Sequence, residues 1–124
     1  MRCPCRKKSE ATTYADCCRP YHAAEQVAPS AEALMRSRYC AFVLCDSDYL
    51  AKTWHRSTRV ERIDFTPEQE WLSLRIVEAR TDGDKATVEF KARSRIGGRS
   101  HVLHEVSRFV READLWFYLD GIVQ

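Results

Sequence analysis

Residues 71–92 read WLSLRIVEARTDGDKATVEFKA, and this stretch decides the fold. Its apolar side chains recur at every second position, as they do in strands with one buried face. The run Thr81-Asp82-Gly83-Asp84 interrupts the alternation, and Asp-Gly is typical of a type I′ turn. The stretch therefore predicts an antiparallel hairpin. Its apolar positions are Leu72, Leu74, Ile76, Ala86, Val88, Phe90 and Ala92.

The same alternation continues towards the C-terminus. Gly97-Gly98 predicts a second turn, and residues 102–110 predict a third strand. A fourth strand is predicted from Leu115 to Val123. The four strands follow one another through short turns, which favours an antiparallel meander.

Two helices are predicted before the hairpin. Ser30 precedes a helical apolar pattern that ends near residue 44, and Asp46 is placed to cap a second, shorter helix. Residues 1–29 contain three prolines and predict no regular element. Helices must cover one face of such a sheet, so the predicted fold class is α+β.

Composition excludes several classes of protein. The chain has 124 residues, of which 44% are hydrophobic, and its formal net charge is +2. This hydrophobic content is enough for a core, and the charge balance predicts no general attraction to nucleic acid. No apolar run approaches the roughly 20 residues that span a bilayer. We therefore expect a cytoplasmic protein whose thiols stay reduced.

Four of the six cysteines form two close pairs, Cys3-Pro4-Cys5 and Cys17-Cys18. Structural zinc takes four nitrogen or sulfur ligands in a tetrahedron, and its sulfurs lie about 3.8 Å apart when Zn–S is about 2.3 Å. In a bent backbone, cysteines that are adjacent or separated by one residue can both bring their sulfurs to this distance. The pattern predicts one Zn²⁺ bound by Cys3, Cys5, Cys17 and Cys18, with His22 as a spare ligand. Cys40 is interpreted as a small core residue.

The N-terminal pattern, extended to Tyr14-x-x-Cys17-Cys18, resembles the SEC-C motif, the zinc-binding tail module of the SecA translocation ATPase. The whole chain resembles the bacterial YchJ family, whose function is uncharacterised. That resemblance implies a zinc knuckle over residues 1–27. It implies a nuclear transport factor 2-like domain, a cone of curved sheet wrapped on helices, over residues 28–124. The segments that carry it are Cys17–His22, Ala28-Pro29, Leu34–Val43, Asp48–Leu50, Thr53–His55, Ser107–Phe109 and Trp116–Gly121.

The sequence departs from the SEC-C pattern at one turn. The usual Gly-Ser-Gly after the second cysteine is Arg6-Lys7-Lys8 here, and the loop to Cys17 is longer than is typical. The resemblance implies that the knuckle contacts a chaperone or the translation and secretion machinery. The altered turn weakens this implication.

A cone-shaped sheet commonly encloses a ligand cavity, and five residues are candidates to line it. Glu105 shares a strand face with Leu103, Ser107 and Phe109, where an uncompensated charge would be unfavourable. Glu105 therefore either pairs with an arginine, such as Arg36, Arg38 or Arg108, or faces a wet pocket. The five candidates are Trp54, His55, Glu105, Ser107 and Tyr118.

Three functions remain open from the sequence. The first is a zinc-binding adaptor whose knuckle docks a protein partner. The second is a cone-fold enzyme or small-ligand binder that uses a pocket near Glu105 and His55. The third is a weak nucleic-acid binder through Arg6, Lys7 and Lys8. We find no Ser/His/Asp order, no nucleotide-binding loop and no second metal set, and the sequence assigns no reaction.

Overall fold

Three helices and four strands make up the chain, and the computed structural model describes all 124 residues. The α+β prediction is confirmed. The prediction that residues 1–29 lack regular structure is wrong at one place, because a short helix begins beside the second cysteine pair with Pro20 in its first turn. The elements are α1 Arg19–His22, α2 Ala31–Val43, α3 Ser47–Lys52, β1 Glu70–Asp82, β2 Lys85–Ile96, β3 Arg99–Glu112 and β4 Leu115–Val123.

Both predicted helix caps are present. The Ser30 hydroxyl accepts a hydrogen bond from the Ala33 backbone N–H at 3.1 Å, and α2 follows. The Asp46 carboxylate accepts one from the Tyr49 N–H at 3.1 Å, and α3 follows. Each cap satisfies a backbone donor that would otherwise lack a partner. No helix combines the length and the apolar character that crossing a bilayer requires.

The four strands form one antiparallel sheet in the order β1-β2-β3-β4. The β1–β2 and β2–β3 turns place Gly83, Gly97 and Gly98 at positive φ, as the sequence predicts. The β3–β4 turn uses Ala113 and Asp114 at positive φ instead. Register shifts in β1 and between β3 and β4 bend the sheet around α2, since a bulge increases local twist.

One hydrophobic core lies between the sheet and α2. Val88 and Phe109 from the sheet are fully buried, as is Leu34 from α2. Cys3, Cys5 and Cys18 belong to the same cluster, so the N-terminal segment packs on the core. Whether residues 28–124 form an independent domain stays a prediction. A smaller cluster joins Ala41 to Tyr49 and Leu50 of α3.

Candidate metal centre and ligand cavity

Local backbone hydrogen bonds bring the two cysteine pairs together. The backbones of Arg2 and Thr13 form an isolated antiparallel β-bridge. The Cys3 N–H donates a hydrogen bond to the Thr12 carbonyl at 2.9 Å. The Tyr14 carbonyl accepts from the N–H groups of Cys17 and Arg19. The segment therefore folds back on itself, and the second pair lies directly over the first.

The sulfurs of Cys3, Cys5, Cys17 and Cys18 all lie within 4.8 Å of one another. Cys5 Sγ is 3.6 Å from Cys3 Sγ, 3.6 Å from Cys17 Sγ and 3.7 Å from Cys18 Sγ. The Cys17 and Cys18 sulfurs are 3.9 Å apart. A tetrahedral ZnS₄ site has sulfur edges of about 3.8 Å, so the four cysteines fit a metal ion of this kind.

The charge around the sulfurs favours a bound cation. Burial raises the pKa of the Cys17 thiol to about 11, although the hydrogen bond from Arg6 Nε at 3.3 Å acts in the opposite direction. Three of the four sulfurs belong to buried residues, where several uncompensated thiolates would be unfavourable. A divalent cation supplies that compensation, so metal binding is expected to release protons.

His22 is not placed to serve as a spare ligand. Its Nε2–H donates to the Ser37 carbonyl at 2.8 Å, and its Nδ1 accepts from the Tyr14 hydroxyl at 2.7 Å. Both ring nitrogens are therefore occupied, and the imidazole ties α1 to α2 instead. Arg36 makes a parallel connection, since its Nη1 donates to the Cys5 carbonyl at 2.7 Å.

Cys40 is buried on α2, as predicted for a core residue, and its sulfur also touches the knuckle. Cys40 Sγ lies 3.4 Å from Cys3 Sγ. Nothing in the spacing of residues 3 and 40 predicts this contact, because it depends on how α2 packs against the N-terminal segment. Cys45 is exposed and lies apart from the cluster.

A cavity of about 210 Å³ lies between the opposite face of α2 and the concave face of the sheet. Most of its wall is apolar, with aromatic rings from the helix and from β1 and β2. Four of the five residues predicted to line a pocket lie in it: Trp54, Glu105, Ser107 and Tyr118. Its principal apolar and aromatic residues are Met35, Tyr39, Phe42, Trp71, Phe90 and Leu103.

Glu105 faces this cavity and makes no direct ion pair. Its Oε2 accepts from the Ser107 hydroxyl at 2.7 Å. It lies over Gly121 of β4, where a Cβ atom would collide with the carboxylate. Of the three arginines predicted as partners, Arg36 pairs with Glu32 and Arg108 pairs with Asp120. The third, Arg38, lines the same cavity, and the charge of Glu105 acts on it across that cavity without a direct ion pair.

Arg38 is the one basic residue in the cavity wall, and it is 3% exposed. Its Nη1 donates to the Leu50 carbonyl at 2.8 Å and to Thr53 Oγ1 at 2.7 Å. The guanidinium carbon is 4.5 Å from the centre of the Tyr118 ring, a cation–π distance. Burial lowers the pKa of Arg38 to about 10, so the residue remains a cation at neutral pH.

Tyr118 and Trp54 close the polar end of the cavity. Their rings meet edge to face with centroids 5.3 Å apart, and a short parallel bridge joins their backbones. Burial raises the pKa of Tyr118 to about 12, and the nearby Glu105 adds to the effect. The Trp54 Nε1–H is buried without a hydrogen-bond acceptor.

His55 does not join the other four predicted residues. Its backbone N–H donates to the Tyr118 carbonyl at 2.7 Å, but its ring points to β3, where Nε2 lies 2.9 Å from Glu112 Oε1. Its Nδ1 accepts from the Ser57 N–H at 3.1 Å, which assigns the proton to Nε2. His55 therefore anchors the turn after α3 to the sheet. The position of His55 directly after the cavity residue Trp54 does not indicate which way its ring points.

Comparison with known proteins places the fold in a family. The model of the YchJ middle NTF2-like domain matches residues 30–121. The chain belongs to the YchJ family. A UPF0225 protein of Polaromonas naphthalenivorans is 49% identical over 96% of this chain and 95% of its own length. One from Methylibium petroleiphilum is also 49% identical, over 98% of this chain and 88% of the relative.

Two solved structures of similar proteins agree with this assignment. A SEC-C motif containing protein from Rhodopseudomonas palustris is 37% identical, with a TM-score of 0.88 over 100% of this chain and 99% of its own. Another from Psychrobacter arcticus is 32% identical, with a TM-score of 0.80 over 98% of this chain and 82% of its own. The predicted YchJ family and NTF2-like fold are confirmed, and a four-cysteine site suited to a metal ion accompanies them.

Proposed function

We propose that this YchJ-family chain is a zinc-supported binding protein for a small aromatic molecule, held in the cavity between α2 and the sheet. The observation that carries the proposal is the Glu105 carboxylate, which faces an apolar-walled cavity with only the Ser107 hydroxyl as a hydrogen-bonding partner. A carboxylate has more than one lone pair to offer, so it can also accept a hydrogen bond from a ligand.

The dimensions and lining of the cavity support a ligand with one ring. A dry cavity of about 150 Å³ is known to admit benzene. The cavity here is about 210 Å³, which leaves room for a ring and one polar substituent. Tyr39, Trp71 and Phe90 supply aromatic walls. Arg38 and Glu105 carry opposite charges, so a neutral ligand with a hydrogen-bond donor fits better than an ion.

The proposed zinc would act on the cavity through α2. Arg36 and Ser37 of this helix bind the N-terminal segment, through the Cys5 carbonyl and His22 respectively. Arg38 and Tyr39, the next two residues, line the cavity. A metal that orders Cys3, Cys5, Cys17 and Cys18 would therefore fix the position of the helix that forms one wall.

Phenol is a suitable probe, and toluene is its counterpart without the donor. We expect both to bind, as measured by chemical-shift changes in two-dimensional NMR. Glu105→Gln should weaken phenol binding about 5-fold and leave toluene unchanged, because a hydrogen bond to a charged acceptor exceeds one to a neutral acceptor by about 1 kcal/mol. Equal effects on both probes would contradict the role of Glu105.

A matched pair of variants tests the cavity itself. Leu103→Trp places a large ring in the cavity, whereas Val102→Trp places the same ring on the other face of β3, at a residue that is 60% exposed. We expect the first variant to abolish binding of both probes and the second to retain it. If neither probe binds the wild-type protein, or if Leu103→Trp binds them normally, the proposal fails.

A second candidate is docking of a protein partner by the knuckle. It is supported by Lys7, Lys8 and Ser9, which are exposed in the loop next to the cysteines. Lys7→Glu/Lys8→Glu should abolish capture of a partner while zinc content stays at one per chain. Capture that survives this change but is lost in Cys17→Ser/Cys18→Ser would assign the contact to the sulfurs instead of the loop. The cytoplasm, where thiols remain reduced, is the compartment that suits both candidates.

A further inference from the structure

β3 extends beyond its neighbour β4 at one end of the sheet. Its ladder with β2 continues without a register shift as far as the pair Ile96 and Arg99. Its ladder with β4 ends earlier, at the pair Glu105 and Val123. Residues 99–103 of β3, the open edge, therefore have a neighbouring strand on one side only.

The open edge presents backbone groups that no strand pairs. The His104 carbonyl points towards β4, since it accepts a hydrogen bond from the Gln124 N–H at 2.8 Å. Along a strand, the N–H and C=O groups of every second residue point to the same side. Those of Val102 and Ser100 therefore point to the side where β4 has ended, and both residues are exposed. A strand added there would continue the line of β4.

The opposite edge of the sheet is less suited to pairing. β1 has register shifts between Trp71 and Ser73 and between Ile76 and Glu78. Bulges of this kind twist an edge away from an incoming strand. The open edge of β3 contains neither a register shift nor a proline, so it keeps the regular geometry that strand addition requires.

The side chains of the open edge indicate which strand fits it. Alternation places Arg99 and His101 on one face of β3 and Ser100 and Val102 on the other, and all four residues are exposed. Opposite charges stabilise directly opposed positions of antiparallel strands, as do aromatic residues opposed to β-branched ones. A complementary strand therefore carries carboxylates opposite Arg99 and His101 and an aromatic residue opposite Val102.

We propose that the open edge docks an extended acidic segment of a partner protein, which adds a fifth strand beside β3. In this segment acidic residues alternate with apolar ones. Its backbone supplies hydrogen bonds to Ser100 and Val102, and its carboxylates select for Arg99 and His101. A second copy of the chain is a poorer occupant, because residues 99–103 contain no carboxylate to pair with Arg99.

A capped heptapeptide of alternating tyrosine and glutamate is the probe, and the same peptide with lysine at each glutamate is its counterpart. We expect the acidic peptide to bind the full-length chain and to shift the NMR signals of residues 99–104, and the lysine peptide not to bind. Arg99→Glu should weaken binding of the acidic peptide about 10-fold, because an attractive cross-strand pair becomes repulsive. Arg80→Glu, at an exposed position of β1, is the matched control and should bind like the wild type.

N-methylation of the peptide separates strand pairing from attraction of charge alone. The residue opposite Val102 exchanges hydrogen bonds with it, so the tyrosine amides of the peptide face β3 and the glutamate amides face solvent. Methylation of the tyrosine amides should therefore weaken binding at least 10-fold, and methylation of the glutamate amides should not. The two peptides carry the same charge and need no variant of the chain, so this comparison does not depend on folding of a mutant.

Three results would overturn the proposal. The first is equal affinity of the two methylated peptides, which would leave only electrostatic attraction. The second is binding of the lysine peptide as tight as that of the acidic one. The third is concentration-dependent dimerisation of the chain alone with shifts confined to residues 99–104, which would assign the open edge to a second copy.

Discussion

The two faces of α2 are held in different ways. The face towards the N-terminal segment meets sulfurs and backbone groups: Arg36 binds the Cys5 carbonyl, the Ser37 carbonyl accepts from His22, and Cys40 touches Cys3. The face towards the sheet meets aromatic rings and a cavity, with Arg38 as its buried cation. One helix therefore separates a region ordered by polar contacts from one ordered by apolar burial.

This difference predicts different responses to perturbation. The knuckle, residues 1–27, has little core of its own, so its order should depend on a metal. The sheet and its helices bury Val88, Phe90 and Phe109 and should depend mainly on apolar area. A change on one side should reach the other through α2 and through the contact between the rings of His22 and Tyr49 of α3.

Removal of the whole knuckle is expected to have the largest effect. A chain of residues 28–124 retains α2, α3 and all four strands. It should unfold cooperatively, with a free energy of unfolding lowered by about 3–5 kcal/mol, because the contacts of Arg36 and Cys40 are lost. Calorimetry measures both quantities, and the full-length chain treated with a chelator is the control. A featureless melt would show that the two regions share one inseparable core.

Arg38→Met tests the cavity face. The change leaves the Leu50 carbonyl and the Thr53 hydroxyl without their donor, which we expect to lower the free energy of unfolding by about 2 kcal/mol. Denaturant unfolding measures the change, and metal content should remain that of the wild type. Arg59→Met is the control, because it removes an exposed arginine that donates a hydrogen bond to the Ala51 carbonyl. A more stable variant would mean that burial of the charge outweighs its hydrogen bonds.

Arg36→Met is the counterpart on the knuckle face, and its expected effect is the smallest. It removes the donor to the Cys5 carbonyl, so the free energy of unfolding should fall by about 1 kcal/mol and metal affinity should fall with it. Competition with a chelator measures the affinity. Glu32→Gln is the matched control, since it removes the ion pair of Arg36 but keeps the bond to Cys5. If the metal affinity of Arg36→Met is unchanged, the contact of α2 with the Cys5 carbonyl does not influence the metal site.

Local patterns predicted most of the secondary structure. The period-two alternation from Trp71 and the Asp-Gly and Gly-Gly turns correspond to β1, β2 and β3, and Ser30 and Asp46 cap the helices as expected. The short helix Arg19–His22 was missed because Pro20 and the adjacent cysteines suggested an irregular loop. The four cysteines were found from their spacing, since a metal site in a small segment requires ligands close together in the chain.

The sequence by itself determined α2, α3, the four strands with their order, and the cysteine cluster, because each depends on residues that are near neighbours or on a periodic pattern. Only the tertiary structure decided which side chains meet. His22 and His55 are turned away from the sulfurs and the cavity by partners 15 and 57 residues distant. Cys40 meets Cys3 across 37 residues, and Glu105 shares its cavity with Arg38, whereas the other two candidate arginines pair elsewhere. Such contacts depend on helix rotation and sheet curvature, which arise from packing of the whole core and leave no local pattern to read.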